Sequence, residues 1–269
     1  MPISTALQIK DEISGKVCLI TGASRTLGAE IARRMATYGV QLAINYHRSR
    51  DAAQTLCEEL TTLGAKALSI QADVNQPENV ERLVTETSEQ LGPIDILVNN
   101  VGPYLDTPFL ELALADFDHI LAGNIRTTFL LSQAVGRRMK EQRRGHIINI
   151  AATDIFHRSH SIYGLAKSGV VYLTEAMALE LAPEVHLNAV APDLIADNEE
   201  MSPEFVQQSI AGTPLGRLVT RTEIAEMVCL LCTPAFDSST GQTIVMDGGR
   251  TIPRIAMGRG GYHDLNANP

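Results

Sequence analysis

Between Val17 and Met246 the chain alternates two kinds of segment, and that alternation narrows its possible folds more than any other feature. Short β-rich apolar runs at residues 17–21, 40–46, 67–72, 95–99, 146–150, 185–190 and 243–246 are separated by stretches with helical periodicity. The first helical stretch puts Leu27, Ile31, Met35 and Tyr38 on one face and stops at Gly39. The second has Asp51 as its N-cap, carries Leu56, Leu60 and Leu63, and stops at Gly64. The third opens at Pro77, buries Val80, Leu83, Val84 and Leu91, and stops at Gly92. Long helices are expected over 116–140 and 161–181, and Thr220-x-x-Glu223 has the form of a capping box opening a helix over 224–232. A strand, a helix and another strand in regular succession lay the strands parallel, and each face then needs a cover of helices. The chain is therefore expected to be α/β: a single doubly wound domain with a seven-stranded parallel sheet flanked by helices.

Charge and cysteine usage exclude several kinds of function. With 22 Lys+Arg against 31 Asp+Glu the formal net charge is −9, so the overall field repels polyanions and neither nucleic acid nor an anionic membrane is an expected partner. An apolar fraction of 45% with 20% charged residues is that of a folded chain. Trp is absent, so the core must be aliphatic. No apolar run approaches the length of a membrane span, and residues 1–15 lack the pattern of a secretory leader. Cys18, Cys57, Cys229 and Cys232 make no disulfide framework in a chain this long. Cys229-Leu-Leu-Cys232 has metal-like spacing, but no second Cys or His pair lies near it, so it reads as buried thiols on a helix and no metal is expected. A cytoplasmic location follows as an expectation.

Thr21-Gly22-Ala23-Ser24-Arg25-Thr26-Leu27-Gly28 joins the first strand to the first helix. Backbone N–H groups at a helix start can bind a diphosphate, and glycines let it approach. Gly22, Ser24, Arg25, Thr26, Leu27 and Gly28 are the candidate contacts; the alternative is a plain turn with two glycines. An NAD site usually carries an acid about 20 residues after the first glycine, for the ribose hydroxyls. Here Tyr46, His47, Arg48 and Ser49 fill that window with no acid before Asp51. Arginine attracts a 2′-phosphate and an acid repels it, so the window favours NADP(H) over a merely solvated basic turn. Further on, Tyr163 and Lys167 stand at i and i+4, on one face of a helix. An ammonium beside a phenol favours phenolate, and such a phenol can exchange a proton with a carbonyl oxygen. Alone, that spacing is commonly a surface pair.

Taken together, the motifs resemble the short-chain dehydrogenase/reductase family over about residues 13–250. They are Thr21-Gly22-x5-Gly28, Ala72-Asp73-Val74, Asn99-Asn100-Val101-Gly102, Asn124, Tyr163-x-x-x-Lys167, Asn188-Ala189-Val190-Ala191-Pro192 and Asp247-Gly248-Gly249. The resemblance implies a Rossmann-like, NADP-binding domain over residues 1–250, with a substrate lid at about 193–216 and a C-terminal extension at 251–269. It implies that Asp73 and Val74 contact the adenine and that Asn99 and Gly102 line the cofactor groove. Tyr163 would be the acid/base, and Lys167 would hold the nicotinamide ribose and lower the Tyr163 pKa. Asn124 would anchor a proton-relay water, and Pro192 and Ile195 would lie near the nicotinamide amide. A homotetramer is implied, with the long helices around Asn124 and Tyr163 at one interface.

Three departures from the family pattern stand out. Thr26 occupies the place of the loop's middle glycine, which pteridine reductases of the same family also lack. Ala152 occupies the place of the catalytic serine. Thr153 is the nearest hydroxyl and is taken as its stand-in; Asp154, the nearest acid, and Ser159 and Ser161 are the other candidates. Pro192-Asp193 replaces Pro-Gly, and Asp197, Glu199 and Glu200 follow in an acidic segment that resembles the pteridine or dihydromonapterin reductase branch. His157 and His160 fall in the substrate loop, without a third ligand for a metal. The reading is an oxidoreductase in which NADPH reduces a small-molecule carbonyl, of ketone or 3-oxoacyl type, with Tyr163 as proton donor. A pteridine reductase is the alternative, and a cofactor-binding, catalytically weak subunit of a hetero-oligomer is the alternative of another class.

Overall fold

The computed structural model describes residues 5–157, 161–198 and 201–252. The His157 side chain, Ser159, His160, Glu199, Glu200 and most of the expected C-terminal extension lie outside the described residues. Seven strands form one sheet in the order β3-β2-β1-β4-β5-β6-β7, and every neighbouring pair is parallel. They are β1 (Val17–Ile20), β2 (Gln41–Tyr46), β3 (Ala67–Gln71), β4 (Ile96–Asn99), β5 (His146–Ile150), β6 (His186–Pro192) and β7 (Thr243–Met246). The expected α/β architecture and strand count are those observed.

Side chains alternate across the sheet, as the pleat requires. Cys18, Ile20, Ile96 and Val98 pack on one face with Ile31 and Met35 of α2 (Thr26–Thr37) and with Ile224 and Val228 of α10 (Arg221–Leu230). Val17, Leu19 and Leu97 pack on the other with Val80 and Leu83 of α4 (Pro77–Leu91) and with Val135 and Met139 of α6 (Thr127–Gln142). Chain direction across the sheet reverses between β1 and β4, and a doubly wound sheet binds ligands at the carboxyl ends of its strands beside that switch point.

The helix stops fall where glycine is needed: Gly39, Gly64 and Gly92 all have positive φ. The Thr220–Glu223 capping box is present with both reciprocal hydrogen bonds. Other local details differ. Ser49, not Asp51, precedes α3 (Arg50–Thr62), and Leu63 is exposed because the helix has ended before it. The helix expected over 116–140 is three pieces: α5 (Leu114–Leu121), a π turn (Ala122–Arg126) and α6. The expected lid holds a helix of its own, α9 (Pro203–Ala211), capped by the Ser202 hydroxyl. Cys229 and Cys232 are fully buried, and Cys232 lies just past the end of α10. Among the described residues no cluster could hold a metal ion, and no helix is long and apolar enough to cross a membrane.

Candidate active site

The glycine loop after β1 is clamped from both sides. Thr21 Oγ1 accepts from the Asn100 and Val101 amides, and Asn100 Nδ2 donates to the Thr21 and Gly22 carbonyls at 3.0 and 3.2 Å. From the β2 side the Gly22 amide donates to Asn45 Oδ1 and the Ala23 amide to the Asn45 carbonyl. The loop therefore sits tight against the end of β4. A Cβ on Gly22 would stand 2.9 Å from Val101 Cγ2, and one on Gly28 would stand 2.7 Å from Asn100 Nδ2. Leu27 and Gly28 are buried, Ser24 is half-buried, and Arg25 and Thr26 face outward. Thr26 has φ +50°, a left-handed conformation that a β-branched residue adopts only under strain. The loop thus keeps at Thr26 the shape a glycine would hold freely.

At the end of β2, His47 and Arg48 are exposed and Ser49 is half-buried. Tyr46 differs from expectation: it is 6% exposed and packs into the core. Alternation explains this, since Tyr46 shares the sheet face of Leu42 and Ile44. Asp73 is partly desolvated, which alone would raise its pKa. Hydrogen bonds from Asn75 and the nearby His47 and Arg48 outweigh that and hold its carboxyl below the usual range. Val74 is buried beside it.

Tyr163, Lys167 and Asn124 are brought together by close approach of three segments. Asn124 lies in the π turn, fully buried, and its Nδ2 donates to the Ile120 and Pro103 carbonyls at 3.0 Å. Hydrogen bonds in a π turn run i→i+5, which releases the carbonyl four residues back for the side chain to satisfy. Asn124 Oδ1 is buried with no hydrogen-bond partner among the described residues. Beside it, Lys167 of α8 (Ile162–Leu181) is 2% exposed and its Nζ donates to the Ile150 carbonyl at 2.7 Å. A Cβ on Gly102 would overlap Asn124 Oδ1 and come within 2.8 Å of Lys167 Nζ, so any larger residue there must displace one of the two side chains. Gly123 and Gly169 work similarly: side chains there would strike Pro103 and Ile125 and push the π turn away from its neighbours.

Tyr163 is half-buried, one helical turn before Lys167, whose Nζ stands 5.4 Å from its ring centroid. The Tyr104 ring packs edge-on against it at 5.0 Å. Burial, then Asp154 and Tyr104, push the Tyr163 phenol well above its ordinary pKa. The expected lowering by Lys167 does not prevail, because Lys167 is itself desolvated: burial brings its ammonium down to about 8, against the opposing pull of Asp154. In this state Tyr163 carries its proton at neutral pH.

The other expected residues divide. Thr153 is brought to the end of β5, but it is 1% exposed and its hydroxyl donates to Asp193 at 2.8 Å. Asp193 also accepts from Arg250 at 3.3 Å. A carboxylate can only accept, so the Thr153 proton is committed and is not offered to a carbonyl in this arrangement. The acceptor exists because Asp193 stands where the family pattern has glycine. Ser161 caps α8, accepting from the Gly164 amide. Asp154 opens the short helix α7 (Asp154–His157) and acts electrostatically on Tyr163, Lys167 and Tyr104. Pro192 ends β6 and is buried, and Ile195 pairs with Val219. Asn99 is turned into the core beneath the groove. Asn45, Tyr104, Gly123 and Gly169 were not singled out in sequence, where nothing marks them as neighbours of the loop or of Lys167; Asn100 stood in a quoted motif without a role of its own.

Comparison with known proteins identifies the family. The family model described as Enoyl-(Acyl carrier protein) reductase matches residues 22–251. A 3-oxoacyl-[acyl-carrier-protein] reductase of Synechocystis is 36% identical over 246 residues, 89% of this chain and 98% of its own. Its counterpart from Staphylococcus aureus is 34% identical over 239 residues, 87% of this chain and 97% of its own. Among solved structures, a short-chain dehydrogenase/reductase from Serratia marcescens superimposes with a TM-score of 0.84 at 34% identity, covering 89% of this chain and 99% of that one. One from Mycobacterium marinum gives 0.83 at 35% identity, covering 93% of this chain and 100% of that one. The chain belongs to the short-chain dehydrogenase/reductase family and is an oxidoreductase of the CH–OH/C=O class. None of the relatives named here is a pteridine reductase.

Replacing Thr26 by glycine relieves the left-handed strain and should raise unfolding free energy by about 1 kcal/mol in urea titrations; a loss of stability would mean that the threonine side chain more than offsets it. The kcat/KM for carbonyl reduction should fall above about pH 8 as Lys167 loses its charge. Asp154 favours the ammonium, so Asp154→Asn should move that alkaline limb to lower pH. An unmoved limb would remove Asp154 from the electrostatics of the site.

Proposed function

We propose that the protein is an NADPH-dependent carbonyl reductase with Tyr163 as proton donor. The observation that carries the reading is the cluster of Tyr163, Lys167, the Asn124 Oδ1 that has no partner among the described residues and the closely packed Gly102. A buried acceptor without a partner costs about 1–3 kcal/mol, and such a cost persists where a ligand or water answers it. When bound, a nicotinamide dinucleotide supplies the hydride. The glycine loop, with Gly22, Ser24, Arg25, Thr26, Leu27 and Gly28, would hold its diphosphate. His47, Arg48 and Ser49 would hold the 2′-phosphate, and Asp73 and Val74 the adenine. Gly102 and Lys167 would flank the nicotinamide ribose, with Pro192 and Ile195 toward the amide.

The chain's own residues then divide the work. Tyr163 orients the substrate carbonyl by a hydrogen bond and gives its proton to the oxygen as charge develops there. The Lys167 ammonium stabilises the phenolate left behind. Asn124 Oδ1 orients a water through which the proton is replaced. The substrate is a ketone or a 3-oxoacyl thioester, the class named for the Synechocystis and S. aureus relatives. We further propose a cytoplasmic homotetramer, in which the exposed Phe129 of α6 and Leu165, Tyr172 and Leu179 of α8 are covered by other copies.

NADPH oxidation with a panel of ketones and 3-oxoacyl thioesters tests the reading. Tyr163→Phe should lower kcat by about 100-fold or more. Arg48→Ala should weaken NADPH binding by about 10- to 100-fold and leave NADH unchanged. Tight NADPH binding with no turnover of any carbonyl would overturn the assignment, and an NADH preference insensitive to Arg48→Ala would overturn the 2′-phosphate contact.

A further inference from the structure

Beneath the site, four polar side chains form one buried chain. Asn99 of β4 and Asn149 of β5 are register partners, and Asn99 Nδ2 donates to Asn149 Oδ1 at 2.8 Å. The same nitrogen donates to Ser132 Oγ of α6 at 2.9 Å. Asn149 Nδ2 donates to Thr174 Oγ1 of α8 at 2.9 Å, and that hydroxyl donates on to the Val170 carbonyl. All four residues are at most 3% exposed.

Such a chain is a poor way to gain stability alone. Asn99 Oδ1 finds no partner in it, and an aliphatic contact of the same volume would carry no desolvation cost. What the polar bonds add is direction. Helix α8 is apolar on several sides, with Leu165, Tyr172 and Leu179 exposed and Ile162, Val170 and Leu181 buried, so burial alone specifies its rotation weakly. Thr174 lies seven residues after Lys167, two turns along the same face. Lys167 grips β5 at the Ile150 carbonyl, and Thr174 grips it at the adjoining Asn149. Two attachments two turns apart define both the rotation of the helix and its height along the strand.

We propose that Asn149 and Thr174 are positioning residues that set where α8 presents Tyr163 and Lys167. Asn99 and Ser132 tie α6 to the same point of the sheet, and α6 continues directly from the π turn that carries Asn124. The three groups of the reacting end are thus referred to one pair of asparagines. The assignment rests on the proposed roles of Tyr163 and Lys167.

Thr174→Val keeps the shape and removes the hydroxyl, and Thr174→Ser keeps the hydroxyl. The full-length variants are assayed with NADPH and a 3-oxoacyl thioester, with kcat/KM followed against pH and unfolding followed in urea. Thr174→Val should lower kcat about tenfold, change the KM for NADPH by less than about twofold and displace the alkaline limb, while Thr174→Ser restores kcat and the limb. A lowered urea midpoint with kcat and pH profile unchanged would make the chain merely structural and overturn the proposal. If Thr174→Val does not fold, Thr174→Cys, close in shape with a weak donor and acceptor, is read by the same criteria. A wild-type protein that turns over no carbonyl fails the proposed function and this assignment with it; an active wild type with an unaffected Thr174→Val fails this assignment alone.

Discussion

The site depends on how closely the segment after β4 can approach the π turn and α8. Gly102 leaves room for Asn124 Oδ1 and Lys167 Nζ to converge over its Cα, and Gly123 and Gly169 let Pro103 and Ile125 pack without pushing the pieces apart. The π turn is part of this fit, because its released carbonyl takes one Asn124 hydrogen bond and the Pro103 carbonyl takes the other. Both amide protons are then spent, and the Oδ1 atom is left as an acceptor beside the buried lysine. Remove the close approach and the groups remain in the chain but no longer form a site.

Around that point the protein accepts local costs. Thr26 holds a left-handed backbone shortly after the point where Asn45 accepts from, and Asn100 donates to, the glycine loop. Lys167 gives up solvation to sit at the end of β5, which keeps its ammonium easily lost. Asp193 ties Thr153 and Arg250 together across the ends of β5, β6 and β7, and thereby removes a hydroxyl from the pool of donors. The net charge of −9 coexists with an exposed Arg25, His47 and Arg48 at the ends of β1 and β2. A whole-chain field that repels polyanions is compatible with a local grip on one phosphate, since exposed charges beyond about 10 Å are screened at ordinary ionic strength.

Much of the fold was legible because it rests on local signals. Strand runs, glycine stops, Pro77 at a helix start and the Thr220 capping box each depend on residues within a few positions of one another. The Tyr163–Lys167 pair, at i and i+4, is local in the same sense. What escaped depends on distant contact. Thr153 gives its proton to a residue forty positions away, and Asn149 meets Thr174 across a strand–helix interface. Tyr46 looked available beside His47, but the pleat turns it inward. The π turn inside the helix expected over 116–140 escaped because it is a single local insertion, shorter than the window over which a 3.6-residue period is read.

The most direct test of this account is Gly102→Ala, assayed for turnover with its fold monitored by near-UV circular dichroism. The added methyl group must displace Asn124 or Lys167. The account predicts a fall in kcat on the order of 100-fold with the native spectrum retained, the scale expected when reacting groups shift by about an ångström. Wild-type turnover in that variant would contradict it.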